Sequence, residues 1–305
     1  MFRELTGDGV KKEIEIYIRE SVRQFGEKGI VPKLAVIRVG DNDGQKWYEN
    51  AILRQSHIYG IETQAINFSS DTSQALLEVT LQAVNEDEGV HGIILLRPFP
   101  EGIDGERLRS MLNPVKDVDA ITDSSMAELF VGKEDAFFAC TAEACMEIVR
   151  NHGIELAGRK VTILGRSITV GKPLALMMLS EDATVTVCHS RTPKEDTVKA
   201  CKDADIVVLA TGMTQMFGSE YFRDGQTVLD VGTGMGDDGK MHGDLDIDGI
   251  KADGIITDLE YTPVPGGIGR VTTSILLRNI IKAANKASGG SRGQGTGLIS
   301  LMEMM

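Results

Sequence analysis

A turn bracketed by glycines stands near the middle of the chain, Gly165-Arg166-Ser167-Ile168-Thr169-Val170-Gly171, followed by Lys172-Pro173. The run before it, Val161–Leu164, is apolar and rich in β-branched residues, so it reads as a buried strand. Gly171 and Pro173 open a helix over Leu174–Leu179. Strand, glycine turn and helix N-terminus together offer free backbone N–H groups and a positive dipole end, the chemistry that holds a phosphate. Only Gly165 and Gly171 are in place, so the spacing departs from Gly-x-Gly-x-x-Gly, and the turn alone is a weak motif. A second strand, Thr184–Cys188, ends in His189-Ser190-Arg191-Thr192. A carboxylate at such a strand tip would take a ribose 2′-hydroxyl. Here Ser190, Arg191 and Arg166 stand instead, a set suited to a 2′-phosphate, which favours NADP over NAD. A surface arginine pair on an ordinary βαβ unit is the bland alternative.

The elements around this turn follow from periodicity. Lys11–Lys28 has apolar residues at helical spacing. Leu34–Val39 is a strand, and Asp41 to Asp43 supply an N-cap for a helix running to about Tyr59, with Gly60 past its end. Thr63–Phe68, Ser73–Glu86 and Gly92–Leu96 continue as strand, helix and strand. This β-α-β-α-β order predicts an open parallel sheet covered by helices. Arg97-Pro98-Phe99-Pro100 ends it abruptly. A short helix over Leu108–Leu112, an irregular passage to about Ala139 and a connecting helix, Cys140–His152, come next. The nucleotide unit adds helix Lys194–Lys202 and strands Ile206–Ala210, Thr227–Val231 and Ile255–Asp258. A last helix covers Thr272–Ala287, where Thr272 is equally an N-cap or a cofactor contact. That helix is expected to pack back on the first domain. Ser288–Gly297 is Gly/Ser-rich, and Leu298–Met305 is an apolar end expected to fray.

At 305 residues two domains are the better expectation. The fold class is α/β, an N-terminal open βαβ domain followed by a Rossmann-like NADP-binding domain. The boundaries fall at 1–125 (plus 272–305) and 140–271. A net charge of −13 with no basic stripe argues against nucleic acid as a partner. The five histidines lack metal-ligand spacing, so no metal is expected. Four cysteines form no Cys-x-x-Cys pair and read as reduced structural thiols of a cytoplasmic protein. No run approaches a membrane span.

Several separate segments point one way. These are Tyr48, Pro98 with Pro100, Lys116-Asp117-Val118-Asp119, the 165–173 turn, His189-Ser190, Asp230-Val231-Gly232 and Thr262-Pro263-Val264-Pro265-Gly266-Gly267. The chain resembles the methylenetetrahydrofolate dehydrogenase/cyclohydrolase family, known in bacteria as FolD. The resemblance implies a homodimer, a tetrahydrofolate derivative bound in an interdomain cleft, and cis peptides before Pro98 and Pro265. It places Tyr48 against the folate and Asp119 on the pterin, with Pro265 and Gly266 as further substrate contacts. It gives the cofactor Thr141, Gly165, Arg166, Ser167, Val170, Gly171, Ser190, Gly232, Thr233 and Thr272.

Two positions depart from the family pattern. Its catalytic Lys, spaced from the Tyr, falls on Ile52, and its Gln falls on Leu96. Arg54 is turned about 200° from residue 52 on the helix and should face elsewhere. Cys140-Thr141-Ala142 and Arg270 also replace usual prolines. Hydride transfer needs mainly the positioning of donor and acceptor. Hydrolysis of the methenyl bridge needs a tuned acid/base. The expectation is an NADP-dependent 5,10-methylenetetrahydrofolate dehydrogenase with cyclohydrolase lost or weak. The alternatives are the ordinary bifunctional enzyme and a non-catalytic folate- or nucleotide-binding paralogue.

Overall fold

A computed structural model of the chain describes residues 1–236 and 238–289. In chain order its elements are β1 (Phe2–Glu4), α1 (Asp8–Glu27), β2 (Lys33–Val39), α2 (Asp43–Tyr59), β3 (Glu62–Phe68), α3 (Gln74–Glu86), β4 (Gly92–Leu95), α4 (Gly105–Met111) and α5 (Asp123–Phe130). They continue with α6 (Cys140–Asn151), β5 (Lys160–Leu164), α7 (Gly171–Ser180), β6 (Thr184–Cys188), α8 (Lys194–Asp203), β7 (Ile206–Leu209) and β8 (Gln226–Asp230). The hairpin β9 (Gly234–Met235) and β10 (Met241–His242), α9 (Ile247–Asp253), β11 (Leu259–Tyr261) and α10 (Ile268–Ala287) complete the chain. They form two compact units, one of Met1–Glu15 with Ala139–Ile275, the other of Ile16–Phe138 with Leu276 onward.

The second of these units carries a three-stranded parallel sheet in the order β3-β2-β4. Strand β2 is buried along nearly its whole length, as a central parallel strand between helices must be. Helix α2 starts where the Asn42 side chain accepts from the Gln45 N–H at 3.0 Å, and it ends at Gly60 in the left-handed conformation. The core joins Ala35, Ile37 and Val39 of β2 to Leu77 and Leu81 of α3 and to Ile93 and Leu95 of β4. The later half of α10 packs on this unit. Asn279 Nδ2 donates to the Val118 carbonyl at 2.9 Å, and Gly92 leaves room for Val118 and Ile280.

The nucleotide unit holds a six-stranded, all-parallel sheet, β1-β11-β8-β7-β5-β6. The chain leaves β5 for β6 on one side and returns to β7 on the other. The boundary between β5 and β7 is thus the topological switch point where open α/β sheets bind ligands.

The α/β, two-domain reading holds, and several local readings are corrected. Ile255–Asp258 is not a strand; the chain enters the sheet at Leu259, once Asp224 has accepted from the Thr257 and Asp258 N–H groups. The passage before Ala139 contains α5, capped by Thr122. The N-terminal strand β1 was not foreseen, because three residues carry no readable period. It pairs with β11, which brings Met1–Glu15 to the nucleotide unit and not to the first domain. Helix α10 begins at Ile268, so Thr272 lies inside it, and its hydroxyl donates to the Ile268 carbonyl at 3.2 Å; it is not the N-cap. The readings for 290–305 lie outside the described residues. Both expected cis peptides, Arg97-Pro98 and Val264-Pro265, are present.

Candidate active site

The cofactor turn follows β5. Gly165 has φ +126°, and a Cβ there would lie 2.3 Å from the Ala210 carbonyl oxygen beyond β7. A Cβ on Gly171 would lie 2.2 Å from the Gly165 carbonyl oxygen. Both positions therefore demand glycine, and the turn folds tightly onto the sheet's switch point. Helix α7 follows with Val170 as its N-cap and no side chain capping it; the Lys172 N–H donates to the Ser167 carbonyl at 3.0 Å and Pro173 has no N–H, so the positive end of the helix, more than a row of open N–H groups, faces the turn. Ser167 Oγ accepts from the Val170 N–H at 3.1 Å and shapes the turn.

Leu164 of β5 pairs with Cys188 of β6. Arg166 and Ser190 each lie two residues beyond that pair, so they project from neighbouring strand ends, and both are exposed. The His189 N–H donates to Thr192 Oγ1 at 3.0 Å and orders this tip. A tight turn between Gly165 and Gly171, a helix N-terminus with no side-chain cap, and an exposed arginine and serine at the strand tips fit a dinucleotide with an extra phosphate.

Behind the turn, Asp230 at the end of β8 accepts from the N–H groups of Gly232 (3.1 Å), Asp244 (3.0 Å) and Leu245 (2.9 Å). Asp244 in turn accepts from the Thr211 N–H and hydroxyl and the Gly212 N–H. These carboxylates tie the loops after β7 and β8 together, and Gly232 is packed against Asp244 where no Cβ fits. Gly232 is buried and Thr233 exposed at this edge, while Thr141 sits half-buried in the first turn of α6. Burial pushes the Asp230 carboxyl from its ordinary 3.8 up to about 7, against the pull of its three N–H donors. The folded chain thus holds this proton more tightly than the unfolded chain. Its contribution to stability is full below about pH 4 and is lost as pH rises through about 7. Thermal unfolding at pH 8 should therefore come at a lower temperature than at pH 5. Asp230→Asn should lower both temperatures, having one acceptor fewer, and shrink the gap.

The other unit contains a cavity of about 310 Å³. That volume suits a small ring system. Tyr48 of α2, Leu96 and Arg97 after β4, and Asp119 line it together with Gln45. The geometry of α2 explains its share. Gln45, Glu49 and Ile52, spaced i, i+4 and i+7, are all buried on one face, and Tyr48 is half-buried beside them. Ile52 is completely buried and is not among the lining residues, whereas Leu96 is. Arg54 is exposed, as its helical angle requires.

Asp119 reaches the cavity through a loop whose other residues are structural. Lys116 Nζ donates to the Val84 and Asp87 carbonyls at 3.2 and 2.6 Å, and burial lowers its pKa. Asp117 is fully buried and accepts from Ile121 N–H, Thr122 N–H and Ser125 Oγ at 3.0, 2.8 and 2.7 Å. Val118 is core. Asp119 alone faces the cavity, 3.4 Å from Arg97 Nη2. Pro265 and Gly266 belong to the nucleotide unit, in the loop after β11, where the Gly266 carbonyl accepts from the Gly7 N–H.

Sequence reasoning missed Arg38, Gln45 and Arg97. Arg38 is a buried charge in an apolar strand, and its Nε donates to Glu49 Oε2 at 2.6 Å. Gln45 Nε2 donates to the Pro98 carbonyl at 2.5 Å, tying α2 to the proline loop. The signal was available: a charge inside a buried strand and polar residues on a helix's inward face need partners.

A phosphate-suited turn at the switch point of one parallel sheet, and a mainly apolar cavity with a few polar groups in a second α/β unit, define a two-unit α/β protein of the dinucleotide-binding class. Comparison with known proteins narrows the class. Residues 139–288 match the NAD(P)-binding domain of tetrahydrofolate dehydrogenase/cyclohydrolase, and residues 5–119 match its catalytic domain. The bifunctional protein FolD of Alkaliphilus metalliredigens is 36% identical over 282 residues, covering 92% of this chain and 97% of that protein. The bifunctional FolD of Campylobacter jejuni superposes with a TM-score of 0.88 at 31% identity, over 94% of this chain and 99% of that one. A Trypanosoma brucei FolD, solved with NADP and an inhibitor, gives 0.86 at 31% identity, over 93% and 97%. The chain belongs to the tetrahydrofolate dehydrogenase/cyclohydrolase family.

Proposed function

We propose that the chain is an NADP-dependent 5,10-methylenetetrahydrofolate dehydrogenase with little or no cyclohydrolase activity. The observation that carries this reading is the cavity lining. Its ionisable side chains are Tyr48, Arg97 and Asp119, and no lysine or histidine is among them. With Leu96 in the wall and Ile52 fully buried, neither of those two positions carries a proton-transferring group, and in this reading Tyr48 and Asp119 are taken up in binding the folate. Tyr48 lies against the folate ring and Asp119 accepts hydrogen bonds from the pterin. In the nucleotide unit the first turn of α7 takes the diphosphate, and Arg166 with Ser190 takes the 2′-phosphate. NADP, when bound, supplies the nicotinamide that accepts a hydride. The residues here bind, orient and keep water out, which is what hydride transfer from the methylene bridge requires.

The second reading keeps both activities. The names of the relatives favour it, since they are described as bifunctional.

The test is NADPH formation from 5,10-methylenetetrahydrofolate. Arg166→Ala should raise the KM for NADP about tenfold or more, the scale of a lost charged hydrogen bond, and leave the KM for NAD nearly unchanged. Equal effects on both cofactors would remove the 2′-phosphate role. NADP bound without turnover of any folate would point to the non-catalytic paralogue.

A further inference from the structure

Two polar atoms of the cavity's lining residues are buried and have no hydrogen-bond partner among the described residues, Gln45 Oε1 and Arg97 Nε. One is an acceptor and the other a donor. Gln45 is only 5% exposed, and its Nε2 is already committed to the Pro98 carbonyl, which leaves Oε1 as its spare group. Arg97 is the residue before Pro98, and both side chains line the same cavity. Buried polar atoms left unpaired cost free energy unless a ligand completes them. Arg97 also sets its charge against Asp119, with Nη2 3.4 Å from Oδ2. The two charges offset one another, so this part of the cavity does not call for a carboxylate or a phosphate. It calls for a neutral ring edge that carries an N–H beside a carbonyl.

We propose that Gln45 and Arg97 are substrate-specificity residues that grip a cyclic amide edge. The Gln45 Oε1 accepts from the ring N–H, and the Arg97 Nε–H donates to the ring carbonyl. The proposal rests on the folate reading above, in which the ring is a pterin, and it gives that pterin two contacts besides Asp119.

The experiment is steady-state kinetics of NADP reduction with 5,10-methylenetetrahydrofolate, for wild type, Gln45→Leu, Arg97→Leu and Arg97→Lys. Thermal melts check that each variant is folded. Each leucine variant should raise the folate KM about tenfold or more, with kcat within about threefold and the NADP KM unchanged. Arg97→Lys keeps a positive charge near Asp119 but has no Nε–H fork, so its KM should stay raised at least about fivefold. Full recovery with lysine would overturn the assignment in favour of a pure charge effect. Unchanged folate KM in folded leucine variants would also overturn it, while leaving the dehydrogenase reading standing. Should Gln45→Leu fail to fold, Arg97→Leu and Arg97→Lys decide the matter, because Arg97 is partly exposed and carries no structural tie to Pro98. A wild type that neither binds nor turns over the folate would overturn both readings together.

Discussion

Methenyltetrahydrofolate supplied to the purified protein is expected to decay no faster than in buffer alone, in a preparation that readily reduces NADP with 5,10-methylenetetrahydrofolate. Positioned acid/base catalysis contributes about 10²–10⁴-fold to such a hydrolysis, and that factor is what the cavity lacks. The basic groups near it are otherwise engaged or unsuited. Lys116 is held by two backbone carbonyls, and Lys46 pairs with Asp41 at 3.0 Å on the surface. Arg97 lies beside Asp119, and a guanidinium is a poor proton shuttle. Ile52→Lys with Leu96→Gln is the restoring experiment. A lysine at the fully buried position 52 would be desolvated, which lowers its pKa toward the range a general base needs. Decay accelerated by the double variant and not by wild type supports the reading. Decay accelerated by wild type sinks it, and would make the bifunctional description of the relatives hold for this chain as well.

Asp117→Ala is expected to be the most damaging single change to the substrate unit. The substitution takes the acceptor from the N–H groups of Ile121 and Thr122, while the Ser125 hydroxyl falls back on Thr122 Oγ1 at 3.0 Å. At about 1–3 kcal/mol for each buried donor left unsatisfied, the loss should reach about 3–5 kcal/mol, a large fraction of a domain's stability. Urea unfolding followed by fluorescence of Trp47, the only tryptophan and a residue of the same unit, measures it directly. The loop it anchors also carries Asp119, so folate binding should fall in whatever fraction remains folded. Asp119→Ala, by contrast, should leave the unfolding transition nearly in place and weaken folate binding alone. If the two variants proved equally stable, the division of this loop into one anchor and one binding residue would be wrong.

Much of this was legible in the chain itself. Strand and helix periods placed most elements to within a few residues, because each needs only its own apolar spacing. The turn at Gly165 and Gly171 was visible as well, since glycine is needed wherever backbone must approach backbone, and the structure puts carbonyl oxygens 2.3 and 2.2 Å from the missing Cβ positions. The family followed from motifs scattered along the chain, and matched models now cover residues 5–119 and 139–288.

Other features were decided only in three dimensions. Lys116, Asp117, Val118 and Asp119 are four neighbours in sequence. Two of them anchor the loop, one is core and one faces the cavity; the family resemblance singled out Asp119, but no physical property of the tetrapeptide itself distinguishes it from Asp117. Their separation depends on which donors the fold brings to each carboxylate. Strand β1 exists because β11 offers it an edge some 257 residues away, a partner that no local pattern encodes. Gln45 and Arg97 read as ordinary surface polar residues until α2 and the Pro98 loop close around them. A hydrogen-bonding role belongs to a pair of atoms, and the chain specifies such a pair only when it folds.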